Sequence, residues 1–211
     1  TLLSRLLEAA GGALSLREPP ALRTLAKSHD ALSQPSPPLS ASELALWLAT
    51  QVRLWARGYD DTRCVVVKAT STTQRVGPAL LQAAAGSKAI LLDLRAESYV
   101  AAQLGGTLDD LRSNAEKRVQ RLVCMLEGLD AAKLSIGETA AVSWLTERLT
   151  QQRLSIAFPS RALYSDFEDF LAEPGARLGD MLRHIGLEAP HGFLDSVARH
   201  PLLTRNAKDQ A

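Results

Sequence analysis

A helix-rich α/β architecture is expected for this 211-residue chain, and three observations lead to it. Cys64-Val65-Val66-Val67 is a continuous run dominated by β-branched residues, the pattern of a parallel strand covered on both faces. A helical stretch around residues 76–85, stopped by Gly86, separates that run from a second one, Ala89-Ile90-Leu91-Leu92. Strand, helix and strand in close succession suggest a βαβ crossover. Through most of the remaining chain, apolar residues recur at three- and four-residue steps, which is the helical period.

Taken from the start, Leu3, Leu6, Leu7 and Ala10 share one face of an amphipathic helix. Gly11-Gly12 ends it, because consecutive glycines reach left-handed conformations at little steric cost. Ala13-Leu14-Ser15-Leu16 reads as a short strand, broken by Arg17-Glu18-Pro19-Pro20, since proline has no N–H to give to a ladder. Residues 21–29 read as a short helix. Pro35, Pro37 and Pro38 make residues 33–40 a loop. Ser42-Glu43 opens a helix that lines up Leu44, Leu48, Val52 and Trp55.

Beyond the βαβ unit, Leu108, Leu111, Ala115, Val119, Leu122, Leu126 and Leu129 mark a long helix. A second helix spans about 137–151, with Ala141, Trp144, Leu145 and Leu149 inward. Residues 161–164 make a last strand, and 169–171 a helical turn before Pro174. Leu178, Met181, Leu182 and Ile185 form an amphipathic helix closed by Gly186. From Pro190 to Ala211 the chain is polar with little periodicity and reads as a surface loop. One domain over residues 1–211, with a helical insertion at about 107–152, accommodates the whole pattern.

Composition narrows the function classes. Lys and Arg number 24 against 23 Asp and Glu, a formal net charge of +1, and 46% of residues are hydrophobic. Such a chain buries a core, and its charge balance does not suit a nucleic-acid binder that relies on bulk charge. Arginines outnumber lysines 18 to 6, which supplies forked donors suited to phosphate and sulfate oxygens. Cys64 and Cys124 read as buried free thiols. No apolar run has the length of a membrane span and no signal-peptide series opens the chain, so the expected location is the cytoplasm. His29, His184, His191 and His200 are scattered, so no metal site is expected. Trp47, Trp55 and Trp144 read as core residues on helix faces, and Arg112, Lys117, Arg118 and Arg121 as a solvated face. The chain begins at Thr1, without an initiator Met and already in a helical pattern, so it reads as lacking an N-terminal portion.

Five segments carry a functional signal by their order. Thr1-Leu2-Leu3-Ser4-Arg5-Leu6-Leu7 opens a helix that leads through a short strand to Glu18-Pro19. Val65-Val66-Val67-Lys68-Ala69-Thr70 is a strand that ends in a lysine. Gly86-Ser87-Lys88-Ala89-Ile90-Leu91-Leu92 leads toward Arg95. Leu163-Tyr164-Ser165-Asp166-Phe167-Glu168-Asp169-Phe170-Leu171-Ala172-Glu173-Pro174 precedes a helix that ends in Gly186-Leu187. Arg205-Asn206-Ala207-Lys208 lies near the end. In this order, over nearly the whole chain, the segments resemble the P-loop sulfotransferase superfamily, including its bacterial members.

The resemblance implies a three-layer P-loop-type fold, a central mainly parallel sheet flanked by helices. It implies sulfuryl transfer from 3′-phosphoadenosine 5′-phosphosulfate to a hydroxyl or amine acceptor, without a metal, nucleic acid or membrane partner. Thr1, Leu2 and Ser4 would then belong to the first turn of the helix that holds the phosphosulfate, where free N–H groups and the helix dipole favour an anion. The N-terminal strand and most of the phosphosulfate loop would precede residue 1. Lys68 would stabilise charge at the sulfuryl group, Arg95 would grip the 3′-phosphate, and Lys208 would belong to a loop that closes over the nucleotide. Many cytosolic members carry a His base two residues after the strand-end lysine; here that residue is Thr70. In other branches a Glu after the second strand is the base, and Glu18 holds that position. The chain departs from the pattern at Arg95, one position late, and at Gln103, where the family has a Ser. Asp93 would repel a phosphate unless it points away. Two other readings remain open: a non-catalytic interaction module on the same fold, and another P-loop nucleotide enzyme. The second lacks the Lys-Ser/Thr and strand-end Asp pair that would place Mg²⁺.

Overall fold

The computed structural model describes residues 2–106 and 130–204. The chain enters through α1 (Leu2–Ala9), β1 (Ala13–Arg17), α2 (Pro20–Ala31), α3 (Ala41–Trp55) and β2 (Cys64–Lys68). A 3-10 segment, Ser71–Val76, runs into α4 (Gly77–Ala83), then β3 (Ala89–Asp93) and α5 (Ala96–Leu104). After the undescribed residues come α6 (Ile136–Ala157), β4 (Ala162–Asp166), α7 (Phe167–Ala172), α8 (Pro174–Ile185), α9 (Phe193–Ser196) and α10 (Pro201–Thr204). This is a helix-rich α/β arrangement.

The described strands form two separate parallel ribbons rather than one sheet. β1 pairs with β2, with Ala13 opposite Cys64 and Arg17 opposite Lys68. β3 pairs with β4, with Ala89 opposite Ala162 and Asp93 opposite Asp166. Each strand therefore finishes on a charged residue, and the register sets like charges side by side: two cations on one ribbon, two carboxylates on the other. Like charges directly opposite are destabilising, so both ribbon ends need partners from elsewhere.

The two-residue period of a strand divides the ribbon side chains between two faces. Ala13, Cys64, Val66, Ile90, Leu92 and Leu163 all pack toward one cluster, built on Leu6 and Leu7 of α1, Phe170 of α7 and Leu178, Met181 and Leu182 of α8. On the opposite face, Val67 meets Leu22, Leu25, Leu44, Leu48 and Val76, while Leu91 and Ala89 meet Leu81 and Leu154. Both ribbons thus share a core on one face and have their own on the other. α4 joins the latter two, giving Leu80 and Ala83 to one and Leu81 to the other.

Local signals explain the helix boundaries. Ser40 and Glu43 form a reciprocal capping box at the start of α3, as Ser135 and Glu138 do for α6, satisfying amides that the first turn leaves without partners. α8 stops at Gly186, whose φ of 81° is the left-handed stop that its sequence position suggests. Arg161 holds the end of α4 onto the start of β4. Its Nη2 donates to the carbonyls of Leu81 and Ala84 at 2.6 and 2.7 Å, and its Nε to that of Ser87 at 2.8 Å.

Several expectations need correction. β2 packs on both faces but is not fully buried: every residue from Cys64 to Lys68 is only half-buried, and among the described residues one edge of the strand has no paired neighbour. Partial burial still pushes the Cys64 thiol above its ordinary pKa. The inward face of α6 is largely polar, with Ala140 and Leu154 its buried apolar residues. Ser143, Thr146, Glu147 and Gln151 are buried while Ala141 is exposed. The helix lies against carbonyls that need donors, and Gln151 Nε2 and Trp144 Nε1 donate to Leu92 and Leu94 at 3.1 and 2.8 Å. Trp47 is 49% exposed, since it lies off the Leu44–Leu48 stripe that faces the core. α5 arises where no helix is expected from the apolar period. Residues 193–204 form short helical segments rather than a surface loop, with Val197 fully buried in the shared cluster. The expected helix over 108–129, Cys124 and the cluster Arg112, Lys117, Arg118 and Arg121 lie outside the described residues.

Candidate functional site at the ends of the ribbons

β1 ends at Arg17 and the chain must then turn into Pro19-Pro20 and α2. Glu18 makes that turn in the left-handed region, at φ 51°, as no other non-glycine does among the described residues. A side chain there is uncommon, and a residue before proline favours extended backbone instead. The strain is held in place from both sides. The Glu18 amide donates to the Lys68 carbonyl at 2.9 Å, prolonging the ladder by one bond. The Lys68 ammonium donates to Glu18 Oε1.

Two residues 50 positions apart in sequence thus meet at one ribbon end. Arg23, on the first turns of α2, brings its Nη2 to 3.5 Å from Glu18 Oε2. The hydrogen bond from Lys68 holds the Glu18 carboxyl below its usual range, reinforced by the charges of Lys68 and Arg23 against the opposing pull of burial. Glu18 and Lys68 keep 35% and 25% of their side-chain surface exposed, so a ligand can reach both. Directly after Lys68, hydroxyls cluster in the loop, with Thr70 Oγ1 2.9 Å from Thr72 Oγ1 and Thr73 Oγ1 donating to the Thr70 carbonyl at 2.8 Å. Arg75 clamps this loop to α2 through a bidentate pair with Asp30, at 2.5 and 2.6 Å.

At the other ribbon end, the carboxylate of Asp93 is saturated. Asp93 is 8% exposed, and its Oδ2 accepts from Arg148 Nη1 at 2.5 Å and from Tyr164 OH at 2.6 Å. The Arg148 guanidinium also lies over the Tyr164 ring, 4.5 Å from its centre, a cation–π contact. Burial pushes the Asp93 carboxyl up, against the Arg148 charge that pulls it down. Beside it, Arg95 caps the start of α5 and reaches Asp169 at 2.8 Å and Asp166 at 3.3 Å. Asp166 accepts from the Asp169 amide at 2.9 Å and is held below its usual range mainly by that bond.

Comparison with protein-family models, characterised proteins and solved structures finds no match for this chain.

Of the residues singled out from the sequence, Glu18 and Lys68 come together. Leu2 and Ser4 lie in the opening turns of α1, with Ser4 buried. Arg95 is engaged by Asp166 and Asp169 at the other ribbon end, away from the Glu18–Lys68 pair. Gln103 lies half-buried near the end of α5. Thr1 and Lys208 lie outside the described residues. Asp93 does not point a bare charge at its surroundings, because Arg148 and Tyr164 take it up. Two residues escaped notice. Arg23 could have been found from Glu-Pro-Pro, which starts a helix and sets Arg23 on its early turns. Arg148 had no local signal, because its partner lies 55 residues away. Among the described residues no group of three or more His, Cys, Asp or Glu is placed to hold a metal ion, and no helix is long and apolar enough to cross a membrane.

Proposed function

We propose that this chain is a sulfotransferase-like protein that moves a sulfuryl group from 3′-phosphoadenosine 5′-phosphosulfate to a hydroxyl or amine acceptor. The observation that carries the reading is the meeting of Glu18, strained at the end of β1, with Lys68 at the end of β2. Backbone strain of this kind costs about 1–3 kcal/mol and persists where the surroundings enforce it, often at functional sites.

In this reading Lys68 changes partner. Without donor it neutralises Glu18. When the phosphosulfate arrives, the ammonium turns to its oxygens and Glu18 is left an unpaired, more basic carboxylate beside the acceptor. Glu18 then takes the acceptor proton as the acceptor oxygen or nitrogen bonds to sulfur. The sulfur–oxygen bond to the 5′-phosphate breaks, and its electron pair leaves on 3′-phosphoadenosine 5′-phosphate. Such transfer depends mostly on in-line positioning and charge stabilisation. Thr70, Thr72 and Arg23 supply further donors nearby.

The reading includes the finer fold, a three-layer P-loop-type sheet in which a further strand lies between β2 and β3. Four features support it. Both ribbons lean on one cluster, α4 packs against both, and the valine-rich β2 is half-exposed. The register also turns the backbone of Val65 and Val67 away from β1.

A second reading, an interaction module without catalysis, is favoured by one observation: Arg95 is engaged by two aspartates and is not poised for a phosphate. Turnover separates the two. In the full-length protein, Glu18→Gln should abolish sulfuryl transfer while nucleotide affinity stays nearly unchanged. An unaltered rate would reject Glu18 as the base.

A further inference from the structure

We infer that the outer edge of β4 is a docking groove for an extended, basic peptide, which would add as a strand alongside it. This site is separate from the Glu18–Lys68 pair and does not depend on the reading above.

The groove has a volume of about 580 Å³. One wall is β4 itself: the four consecutive residues 163–166 line it. Successive side chains of a strand point to opposite faces, so four in a row can line one groove only along an open edge. The other wall is α8, through Arg177, Asp180, Met181 and His184. Their spacing of three, four and seven residues is one helix face.

Among the described residues, no strand pairs with this edge. Ala89 donates to the Arg161 carbonyl at 2.7 Å, which fixes the phase of the β3–β4 ladder and turns the backbone N–H and C=O of Tyr164 outward. Unpaired strand edges are templates for an added strand. A second mark is Arg177, 41% exposed in its side chain, whose Nε is shielded and, among the described residues, without a hydrogen-bond partner. Buried donors are nearly always satisfied, and a peptide carbonyl entering the groove would satisfy this one.

Charge selects the occupant. Among the described residues, the carboxylates of Asp166, Glu168, Asp169 and Glu173 at the C-terminal end of β4 share Arg95 and Arg177. Further along, Asp180 and Arg183 neutralise one another. The surplus is acidic, so a lysine or arginine on the added strand fits beside Asp169, which is 48% exposed in its side chain. A second copy of this chain is the poorer occupant, because β4 itself holds no lysine or arginine to set beside Asp169.

The test is a two-dimensional amide NMR titration of the ¹⁵N-labelled full chain with the peptide acetyl-Lys-Val-Thr-Val-Thr-Lys-amide. The Tyr164 and Asp166 amides should shift saturably below about 1 mM peptide. A twin peptide methylated on alternate backbone nitrogens, and one with Glu in place of both Lys, should each bind about tenfold more weakly, the scale of one lost hydrogen bond or charge contact. Asp169→Lys should weaken the parent peptide and not the Glu peptide. The proposal is overturned if Tyr164 and Asp166 do not respond, or if the methylated or Glu peptide binds as well as the parent. It is overturned equally if the same amides shift with protein concentration alone, which would mark self-pairing of β4.

Discussion

The ends of the two ribbons solve one problem in opposite ways. Each register leaves like charges side by side, Arg17 with Lys68 and Asp93 with Asp166. At the second end, Arg148 and Tyr164 close on Asp93, Arg95 closes on Asp166, and every link has ordinary backbone around it. At the first end, Glu8 closes on Arg17, and Lys68 is answered by Glu18, which must adopt a left-handed conformation to reach it and stays one-third exposed. A buried carboxylate answered by two donors in relaxed backbone contributes to stability. A strained, half-open pair is better suited to exchanging partners, and that contrast separates the candidate site from a structural ion pair of similar composition.

The largest expected effect tests whether the ends belong to one cooperative unit. Phe170 is fully buried in the cluster that both ribbons share. Phe170→Ala should cost about 3–5 kcal/mol, typical of a large core aromatic cut to alanine. Urea unfolding followed by circular dichroism and tryptophan fluorescence should then shift as one transition. Separate transitions would show that the ribbons do not share a core in solution.

Next comes the Asp93 end. Arg148→Met removes the charged donor to a buried carboxylate, and should destabilise by about 1–3 kcal/mol in the same assay. The strained end should respond with the opposite sign. Glu18→Gly removes the left-handed strain along with the ion pair, and should leave stability unchanged or raise it by up to about 1 kcal/mol. A loss as large as that from Arg148→Met would mean that Glu18 is a structural residue, and the contrast would fail.

The smallest effect is in the pH dependence. Glu18 has a folded pKa below its unfolded one. It therefore adds stability that is present above the unfolded pKa and lost as pH falls through the folded value. Asp93 has a raised folded pKa, so its share runs the other way: stability falls as pH rises from its unfolded value of about 3.8 through the raised one. In urea unfolding below neutral pH, Glu18→Gln should therefore flatten the loss on acidification and Asp93→Asn should steepen it. Matching profiles for the two variants would remove the distinction.

How far the sequence could lead differs between the same two regions. The strands, the helix α4 between β2 and β3 and the α8 stop at Gly186 were legible because they depend on local period and punctuation. The expected βαβ crossover is not seen among the described residues, since β2 and β3 pair in separate ribbons. The Glu18 and Lys68 positions followed from a resemblance in segment order, and the register of β1 and β2 is what brings them side by side. The polar face of α6 could not be read. Apolar periodicity assumes that helices bury apolar faces, whereas Gln151, Trp144 and Arg148 face the carbonyls and carboxylate at the end of β3. The half-exposure of β2 was hidden for a related reason: a run of valines reports what a strand can bury, not which neighbours lie beside it.

The central claim, that the Glu18–Lys68 pair opens to receive a phosphosulfate donor, is tested most directly by calorimetric titration of the full-length protein with 3′-phosphoadenosine 5′-phosphate. Saturable heat is expected for the wild type and for Arg148→Met, with binding at least about tenfold weaker in Lys68→Met, the scale of one charge-assisted hydrogen bond. No heat at about millimolar nucleotide, or equal affinity with and without the Lys68 ammonium, would contradict it.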